Sequence, residues 1–251
     1  MLKEKVLKTI NRNELIQEKS KLLVGVSGGP DSLVLLHFLK QVQPLFHYEL
    51  TVASVDHMFR GDESYEDYKY VEQICEQWGI VFEGRRIDVP AYIEQTGESS
   101  QLTSRKLRFA FYEEMMAKHQ TSTLVLGHHG DDQIETVLMR LTRGATGKAR
   151  AGIPLKRPFH TGYLIRPFLE LTKDEIIEYA GIHKLEPRYD PSNEKDDYVR
   201  NRFRHEVLPF LKKENRKVHD HFQRFSEELY EDEEFFQNLV SSKMPEVWAQ
   251  Q

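Results

Sequence analysis

A glycine-rich turn between two apolar segments is the first part of the sequence that could do chemistry. Residues 27–32 read Ser-Gly-Gly-Pro-Asp-Ser and follow the apolar run 22–26. Gly28 and Gly29 let the backbone approach an anion without a Cβ in the way, and Pro30 suits the first position of a helix. The N–H groups and the dipole at such a helix start favour a phosphate. The turn therefore predicts a phosphate cradle, and an ordinary strand-to-helix turn is the alternative.

Ionisable residues follow two later apolar runs. Asp56 and His57 end one run, and His128 and Asp132 come after another. Ligands of doubly wound sheets lie in the crevice outside the carboxyl ends of the strands, so these positions are candidates for a site. Each has a structural alternative. Asp56 and His57 could form a salt-linked strand end, and His128 a hydrogen-bonded one. Residues 132–135 read Asp-Gln-Ile-Glu, a capping box that would start a helix.

The segment 27–32 resembles the SGGxDS loop of the N-type ATP pyrophosphatases, the PP-loop family. Members of that family cleave ATP between its α- and β-phosphates. The resemblance implies that this loop binds pyrophosphate through backbone groups and hydroxyls, and that Asp31 holds Mg²⁺ against it. Mg²⁺ suits this role because it bridges phosphate oxygens and needs few protein carboxylates. The residues implied in binding ATP are Ser27, Gly28, Gly29, Pro30, Asp31 and Ser32.

Further motifs resemble those of the tRNA(Ile)-lysidine synthases within this family. They occupy residues 55–60, 104–109, 127–136, 143–144, 190–193 and 200–204. In those enzymes ATP activates O2 of the wobble cytidine in a CAU anticodon, free lysine attacks C2, and AMP leaves. The resemblance therefore implies an ATP-dependent carbon–nitrogen ligase that makes lysidine in tRNA(Ile) from L-lysine. Because the sequence shows neither a membrane-spanning run nor a signal peptide, we expect a cytoplasmic protein. Whether the chain forms a homodimer is left open.

The resemblance assigns catalytic roles to Asp31, Arg108, His128 and Asp132. Arg108 would contact the α-phosphate or the activated cytidine. His128 would orient the substrate or transfer a proton, and Asp132 would position magnesium or the incoming lysine. Asp31 and Asp132 are thus the expected metal ligands. For Arg108 the structural alternative is a surface position on an amphipathic helix.

Basic residues are concentrated in two stretches although the formal net charge is −5. Residues 140–173 contain eight basic residues and one acidic residue, and residues 200–217 contain seven and two. We expect these stretches to form a basic face for tRNA, because phosphate contacts dominate the affinity of nucleic-acid-binding proteins. Basic side chains on unrelated surfaces are the alternative. The expected RNA contacts are Arg140, Arg143, Arg200 and Arg204.

A parallel sheet would bring the candidate residues to one edge. Apolar runs alternate with helical patterns, as in repeated βαβ units. The predicted strands are Lys21–Val26, Leu50–Asp56, Ile80–Ile87, Thr123–Gly127 and Tyr163–Pro167. The predicted helices between them are 31–42, 62–78, 99–119 and 131–143. We therefore expect an α/β fold with a doubly wound, mainly parallel five-stranded sheet of the Rossmann-like type.

Charged helical segments replace the strands after Leu171. They are predicted at Thr172–Ala180, Tyr198–Lys212 and Lys217–Leu239. We expect an N-type ATP pyrophosphatase domain at 1–182 and a helical appendage at 183–251. Lysidine synthases commonly carry further C-terminal domains, so the appendage is compatible with the start of a truncated C-terminal region. The Gly/Pro-rich segment 144–162 is predicted to be a long loop, whose length suggests a function.

Composition and spacing exclude several classes of protein. The apolar runs are far shorter than the ~20 residues that a membrane-spanning helix needs, and the charged, amphipathic N-terminus is not a signal peptide. The single cysteine, Cys75, rules out internal disulfides and Fe–S ligation by this chain alone. Residues 27–32 have neither the spacing nor the lysine of a Walker loop, and they do not match the dinucleotide-binding G-x-G-x-x-G pattern.

Two other functions stay open. One is a tRNA thiolase or another enzyme built on the same ATP pyrophosphatase domain, although a single cysteine argues against thiolation chemistry. The other is a non-catalytic module that binds nucleotide or tRNA. The presence of Asp31, Arg108 and Asp132 argues against a loss of catalysis.

Overall fold

The computed structural model describes residues 2–189 and 199–248, with side chains described as far as Met244. The strands in this part of the chain are β1 Lys21–Gly25, β2 Glu49–Asp56, β3 Val81–Arg86, β4 Thr123–Val125, β5 Lys156–Phe159 and β6 Gly162–Ile165. The α-helices are α1 Leu2–Arg12, α2 Pro30–Phe46, α3 Asp62–Trp78, α4 Val89–Thr96, α5 Ser100–His119, α6 Gly130–Thr142, α7 Lys173–Ile182, α8 Val199–Arg202, α9 Leu208–Glu214 and α10 Val218–Trp248.

The six strands form one sheet in the order β3-β2-β1-β4-β6-β5. All neighbours are parallel except β5 and β6, which form an antiparallel hairpin at the edge. The predicted α/β fold with a mainly parallel sheet is confirmed, but the sheet has six strands and not five. The prediction missed β5 because its sequence, Lys-Arg-Pro-Phe, lacks the apolar run of a buried strand. Proline is tolerated there because an edge strand need not donate every ladder hydrogen bond.

Successive residues of β1 face opposite layers of the fold. Leu22 and Val24 pack in one apolar cluster with residues of α1, α2 and α7, and Leu23 packs in another with Phe111 and Tyr112 of α5. All three β1 residues are fully buried. Burial on both faces explains why the strand reads as a continuous apolar run in the sequence. It also fixes the β1–α2 turn firmly to the core.

Two predicted segments differ in detail. The predicted helix over 198–212 consists of α8, a π-helical turn at Phe203–Val207 and α9. Pro209 at the start of α9 has no N–H to continue the preceding hydrogen-bond pattern, which explains the break. The predicted long loop over 144–162 contains a 3₁₀ turn at Gly147–Ala151 as well as β5. Among the described residues, no helix combines the length and apolar character needed to span a membrane.

The chain forms two compact units. The first comprises Met1–His128 with Leu155–Asp190, and the second comprises His129–Pro154 with Pro191–Gln251, each as far as its residues are described. The second unit thus includes α6, whereas the predicted boundary at 182/183 separates α6 from the C-terminal helices. The assignment of an ATP pyrophosphatase domain to 1–182 and an appendage to 183–251 stays a prediction.

Candidate active site

The glycine-rich turn between β1 and α2 is closed by its own serines. Ser32 Oγ accepts a hydrogen bond from the Ser27 N–H at 3.1 Å and donates one to the Gly29 carbonyl at 3.1 Å. Gly28 has a φ of +85°, which favours glycine over residues with a Cβ. Gly29 is the N-cap of α2 and has no side chain to cap the first turn. An anion can therefore take the position that a capping side chain would occupy.

Asp31 in the first turn of α2 is paired with a lysine of α7. Lys173 Nζ lies 2.5 Å from Asp31 Oδ1, and each side chain is about one-third exposed. Lys173 is the first residue of α7. A capping box between Thr172 and Glu175 fixes that helix start, with Glu175 N–H donating to Thr172 Oγ1 at 3.1 Å and Thr172 N–H to Glu175 Oε2 at 2.7 Å. An anion on the turn would therefore meet a cationic side chain beside the carboxylate.

Reasoning from the sequence missed Lys173 as a member of the site. The Thr-x-x-Glu pattern over 172–175 was the available signal, since it marks a helix start just after the last strand.

His128 at the end of β4 accepts a hydrogen bond from a buried arginine. Arg166 Nε donates to His128 Nδ1 at 3.3 Å, and Arg166 follows β6 in the sequence. Because the guanidinium is always a donor, Nδ1 must be unprotonated, and the neutral ring carries its proton on Nε2. The hydrogen-bonded strand end is therefore observed at His128.

The end of β2 carries a buried carboxylate, Asp56. Asp56 accepts from the Met58 N–H at 2.8 Å and from Arg86 Nε at 3.0 Å, so the salt-linked strand end is observed. Burial opposes ionisation of Asp56, but the hydrogen bonds from Met58, Ser64 and Arg86 outweigh it and lower its pKa. Asp56 is thus an anion held by the fold at neutral pH.

His57 and Arg108 lie close enough to affect each other. Burial, followed by the positive charge of Arg108, lowers the pKa of His57. His57 Nε2 lies 3.3 Å from the carbonyl oxygen of Ser104 in α5, to which it can donate. The structure therefore brings together two residues that the sequence motifs placed about 50 positions apart.

The chain just before residue 190 is hydrogen-bonded to the glycine-rich turn. Arg188 N–H donates to the Gly28 carbonyl at 2.9 Å, and its guanidinium lies 4.8 Å from the centre of the Tyr70 ring. Arg60, another predicted motif residue, is paired with Asp67 of α3 at 2.7 Å. The predicted motif at 190–193 lies outside the described residues.

In the second unit, the first turns of α6 hold a buried acidic cluster. The Glu135 side chain is fully buried and accepts from Arg200 Nε and Arg204 Nε, both at 2.7 Å. Asp132 Oδ1 accepts from Arg200 at 2.9 Å. Two arginines predicted to bind RNA are therefore engaged with carboxylates of their own chain. Sequence reasoning missed these pairs because the partners are more than 60 positions apart.

The other two predicted RNA contacts differ from each other. Arg140 donates to the carbonyls of Ala149 and Gly152, at 2.8 and 2.6 Å. Arg143 is exposed at the end of α6.

The helix predicted at 131–143 is observed at Gly130–Thr142, but the capping box that was the alternative role for Asp132 does not start at that residue. Helix α6 begins at Gly130 with His129 as its N-cap, so Asp132 is the third residue of the helix. Asp132 Oδ2 accepts a hydrogen bond from the His129 N–H at 3.0 Å, which is the backward half of a capping box. Asp132 does help to cap the helix, but from inside it, and its other oxygen faces Arg200.

Asp131 is held by a lysine and a histidine of the C-terminal helices. Lys212 Nζ and His219 Nε2 each lie 2.8 Å from its carboxylate. Burial raises the pKa of Asp131, but the hydrogen bonds from His219 and Lys212 outweigh that effect and hold the pKa far below its usual value. Asp131 thus fastens α6 to α9 and α10.

We expect the second unit to lose stability in acid because of Asp131. A carboxyl group whose pKa is lowered by folding stabilises the fold fully above its unfolded pKa of about 3.9, and the contribution fades as the pH falls below that value. Asp131→Asn should cost about 1–3 kcal/mol at pH 7, since it removes the charge of a buried group that accepts two hydrogen bonds. Urea denaturation at pH 7 and pH 3 should show that the difference from wild type shrinks in acid. Asp220→Asn is the control, because Asp220 is exposed and lies next to His219 in the first turn of α10; it should cost little stability at either pH.

Comparison with known proteins identifies the family. A family model described as the PP-loop domain matches residues 2–211. The chain belongs to the PP-loop family. It is 50% identical over 97% of its length to a tRNA(Ile)-lysidine synthase from Bacillus cereus, of which it covers 51%. It is 48% identical over 99% of its length to the lysidine synthase of Geobacillus kaustophilus, of which it covers 53%. The chain thus spans about half the length of the curated relatives it matches.

A solved structure supports the PP-loop fold. The U34-tRNA thiolase NcsA from Methanococcus maripaludis superposes with a TM-score of 0.76 at 20% identity, covering 92% of this chain and 78% of that one. At this identity the similarity concerns the fold alone.

Membership of the PP-loop family implies the use of ATP, and the glycine-rich turn fits a bound phosphate chain. The fit of Mg²⁺ depends on Asp31, the one carboxylate in the turn. Among the described residues, no cluster of three or more His, Cys, Asp or Glu side chains could hold a metal alone. A Mg²⁺ ion that binds mainly phosphate oxygens and water does not need such a cluster. Asp132, the other predicted metal ligand, accepts a hydrogen bond from Arg200, and its metal role stays a prediction.

Gly127 allows the chain after β4 to pass close to the glycine-rich turn at 27–32. A Cβ at this position would lie 3.0 Å from the carbonyl oxygen of Asp31. We expect Gly127→Ala to destabilise the fold by about 1–3 kcal/mol, because two backbone segments would have to separate. Thermal denaturation measures this effect. Gly181→Ala is the matched control, since nothing lies within 4 Å of a Cβ there and alanine favours the helix. Equal effects of both changes would contradict the assigned role of Gly127.

Proposed function

We propose that this chain carries a tRNA(Ile)-lysidine synthase activity. It would adenylate O2 of the wobble cytidine in a CAU anticodon and join lysine to C2, releasing pyrophosphate and AMP. The proposal rests above all on about 50% identity to curated lysidine synthases over nearly the whole chain. The uncapped start of α2 and the paired Asp31 and Lys173 support it, because they suit a phosphate chain with its cation.

In this proposal the first unit binds ATP. The turn at 27–32 holds the β- and γ-phosphates, and Asp31 holds Mg²⁺, which when bound neutralises phosphate charge. Arg108 lies beside His57 and contacts the α-phosphate or the activated cytidine. His128, neutral at Nδ1, donates from Nε2 or transfers a proton.

The second unit would supply groups for lysine and tRNA. Asp132, about one-eighth exposed, positions the incoming lysine through its carboxylate. Carboxylates suit this role because they attract the amine and can help to orient it. Of the four arginines predicted to contact RNA, Arg143 is the exposed one, whereas Arg140, Arg200 and Arg204 make contacts within the chain. The RNA contacts, the cytoplasmic location and a homodimer remain predictions.

A thiolase activity that depends on this chain's own cysteine is disfavoured by Cys75. The thiol is fully buried, and burial raises its pKa to about 12. Since the thiolate is the reactive form, this cysteine is a poor sulfur carrier.

The test is a reconstituted reaction with ATP, Mg²⁺, L-lysine and a tRNA(Ile) transcript bearing CAU. We expect AMP and pyrophosphate in equal amounts and lysidine in the digested tRNA by mass spectrometry. Omission of lysine, or a transcript with uridine at the wobble position, should abolish lysidine. ATP binding without AMP formation would support the non-catalytic alternative, and a thiolated product with a sulfur donor would support a thiolase.

A further inference from the structure

A basic and aromatic surface extends along α5 and includes none of the four arginines Arg140, Arg143, Arg200 and Arg204. We call it the α5 face and define it by Phe59, Arg105, Arg108, Phe109 and Arg157. Arg108 and Phe109 come three and four positions after Arg105 on α5, so all three lie on one side of the helix. Arg157 comes from the edge strand β5, and Phe59 from the turn after β2. All five residues belong to the first unit.

Two guanidinium groups converge on one aromatic ring in this face. Arg105 lies 4.6 Å and Arg157 lies 5.8 Å from the centre of the Phe109 ring. Arg157 is also 5.4 Å from Phe159, whose ring packs edge-on against Phe109. Cation–π attraction thus holds both guanidinium groups at the Phe109 ring.

The arginines of this face lie in two segments that contain no carboxylates. The sequence has no Asp or Glu between Glu98 and Glu113 or between Glu135 and Glu170. These acid-free segments contain the start of α5 and the whole β5–β6 hairpin. Within the described part of the chain, neither Arg108 nor Arg157 forms an ion pair with a carboxylate. Arg200 and Arg204, by contrast, each form an ion pair with Glu135.

An exposed aromatic ring lies at the end of the face nearest the predicted site. Phe59 is 48% exposed and stacks on His57 with ring centres 6.4 Å apart. His57 in turn contacts the Ser104 carbonyl of α5, next to Arg105. The exposed ring of Phe59 is thus linked to α5 through His57.

We propose that the α5 face binds a single-stranded segment of the tRNA substrate, with phosphates on Arg105 and Arg157 and an unstacked base on Phe59. Guanidinium groups bind phosphate oxygens through paired hydrogen bonds. Proteins recognise RNA loops by stacking bases on aromatic rings and guanidinium planes. An acidic peptide would match the charges but would not use the exposed ring, so RNA is the better partner. This inference rests on the proposed function, because it takes tRNA as the substrate.

The test compares Arg105→Ala/Arg157→Ala with Lys156→Ala. Lys156 is the neighbour of Arg157 on β5, but it lies over Tyr163 and, by strand alternation, points to the other face. We expect the double variant to raise the KM for tRNA about tenfold and leave kcat at saturating tRNA within about twofold of wild type. The log–log salt slope of tRNA binding should fall by about 0.7 for each phosphate that the variant no longer neutralises. Lys156→Ala should change neither quantity appreciably.

Phe59→Ser provides a second variant that changes no charge. It should weaken tRNA binding about tenfold without altering the salt slope, since it removes stacking only. Thermal denaturation confirms that each variant is folded. The proposal is overturned if the double variant binds tRNA like Lys156→Ala, or if it loses binding to poly-L-glutamate but not to tRNA. Failure of the wild-type chain to form lysidine would instead contradict the proposed function, whereas tRNA binding can be measured independently of it.

Discussion

Asp31→Asn should reduce Mg²⁺-dependent AMP formation by roughly 10²–10³-fold, as for the removal of one electrostatic interaction with a developing charge. Asn keeps the shape of the side chain but removes the charge that would hold Mg²⁺ at the PP-loop. The fold should change little. The Asp31–Lys173 pair is about one-third exposed, and ion pairs of this kind contribute at most about 1 kcal/mol. AMP formation at subsaturating Mg²⁺ and urea denaturation would be measured on the same preparation.

Asp62→Asn is the matched control for this variant. Asp62 also lies in the first turn of a helix, but it is exposed and belongs to α3. The control should keep wild-type activity. Near-normal AMP formation by Asp31→Asn at low Mg²⁺ would remove Asp31 from the metal site.

Asp132→Ala should lower lysidine formation at least a hundredfold while costing only about 1–2 kcal/mol of stability. The stability cost comes from the hydrogen bond to the His129 N–H and the contact with Arg200. It stays modest because Glu135 still binds Arg200 at 2.7 Å. The activity cost comes from losing the carboxylate proposed to position lysine. Activity would be measured across temperature beside the folded fraction.

Asp132→Asn separates capping from catalysis. An asparagine side-chain oxygen can still accept from the His129 N–H, because an amide oxygen is a hydrogen-bond acceptor as a carboxylate oxygen is. We therefore expect this variant to be nearly as stable as wild type and nearly as inactive as Asp132→Ala. If lysidine formation by both variants simply follows the folded fraction, Asp132 is a capping residue and no more.

Local patterns predicted much of the fold. The β1 run from Leu22 to Val24 is apolar because both faces of the sheet are covered, and this signal is present in the sequence itself. Strand β5 was not predictable in the same way, since its charges and proline suit an edge that only the completed sheet defines.

The candidate site likewise has one part that local sequence patterns predicted and another part that they did not. The turn at 27–32 was predictable, because glycines and a helix start within a few residues determine it. The Asp31–Lys173 and Glu135–Arg204 pairs join distant parts of the chain, and no local pattern shows which partner a charge will find. Arg200 and Arg204 were therefore assigned to RNA by charge counting alone.

The pairing of Asp31 with Lys173 has a thermodynamic consequence for the ligands of the loop. A cation that takes Asp31 leaves Lys173 without this counter-charge, and an anion that takes Lys173 does the same to Asp31. A ligand that binds alone therefore breaks the attraction between Asp31 and Lys173 and compensates the charge of only one of the two side chains. A cation and an anion that bind together compensate both charges, so each promotes the binding of the other. Thermodynamic linkage requires the two ligands to increase each other's affinity by the same factor. In the proposed site, one salt bridge beside the loop would thus favour the metal–nucleotide complex over either of its components.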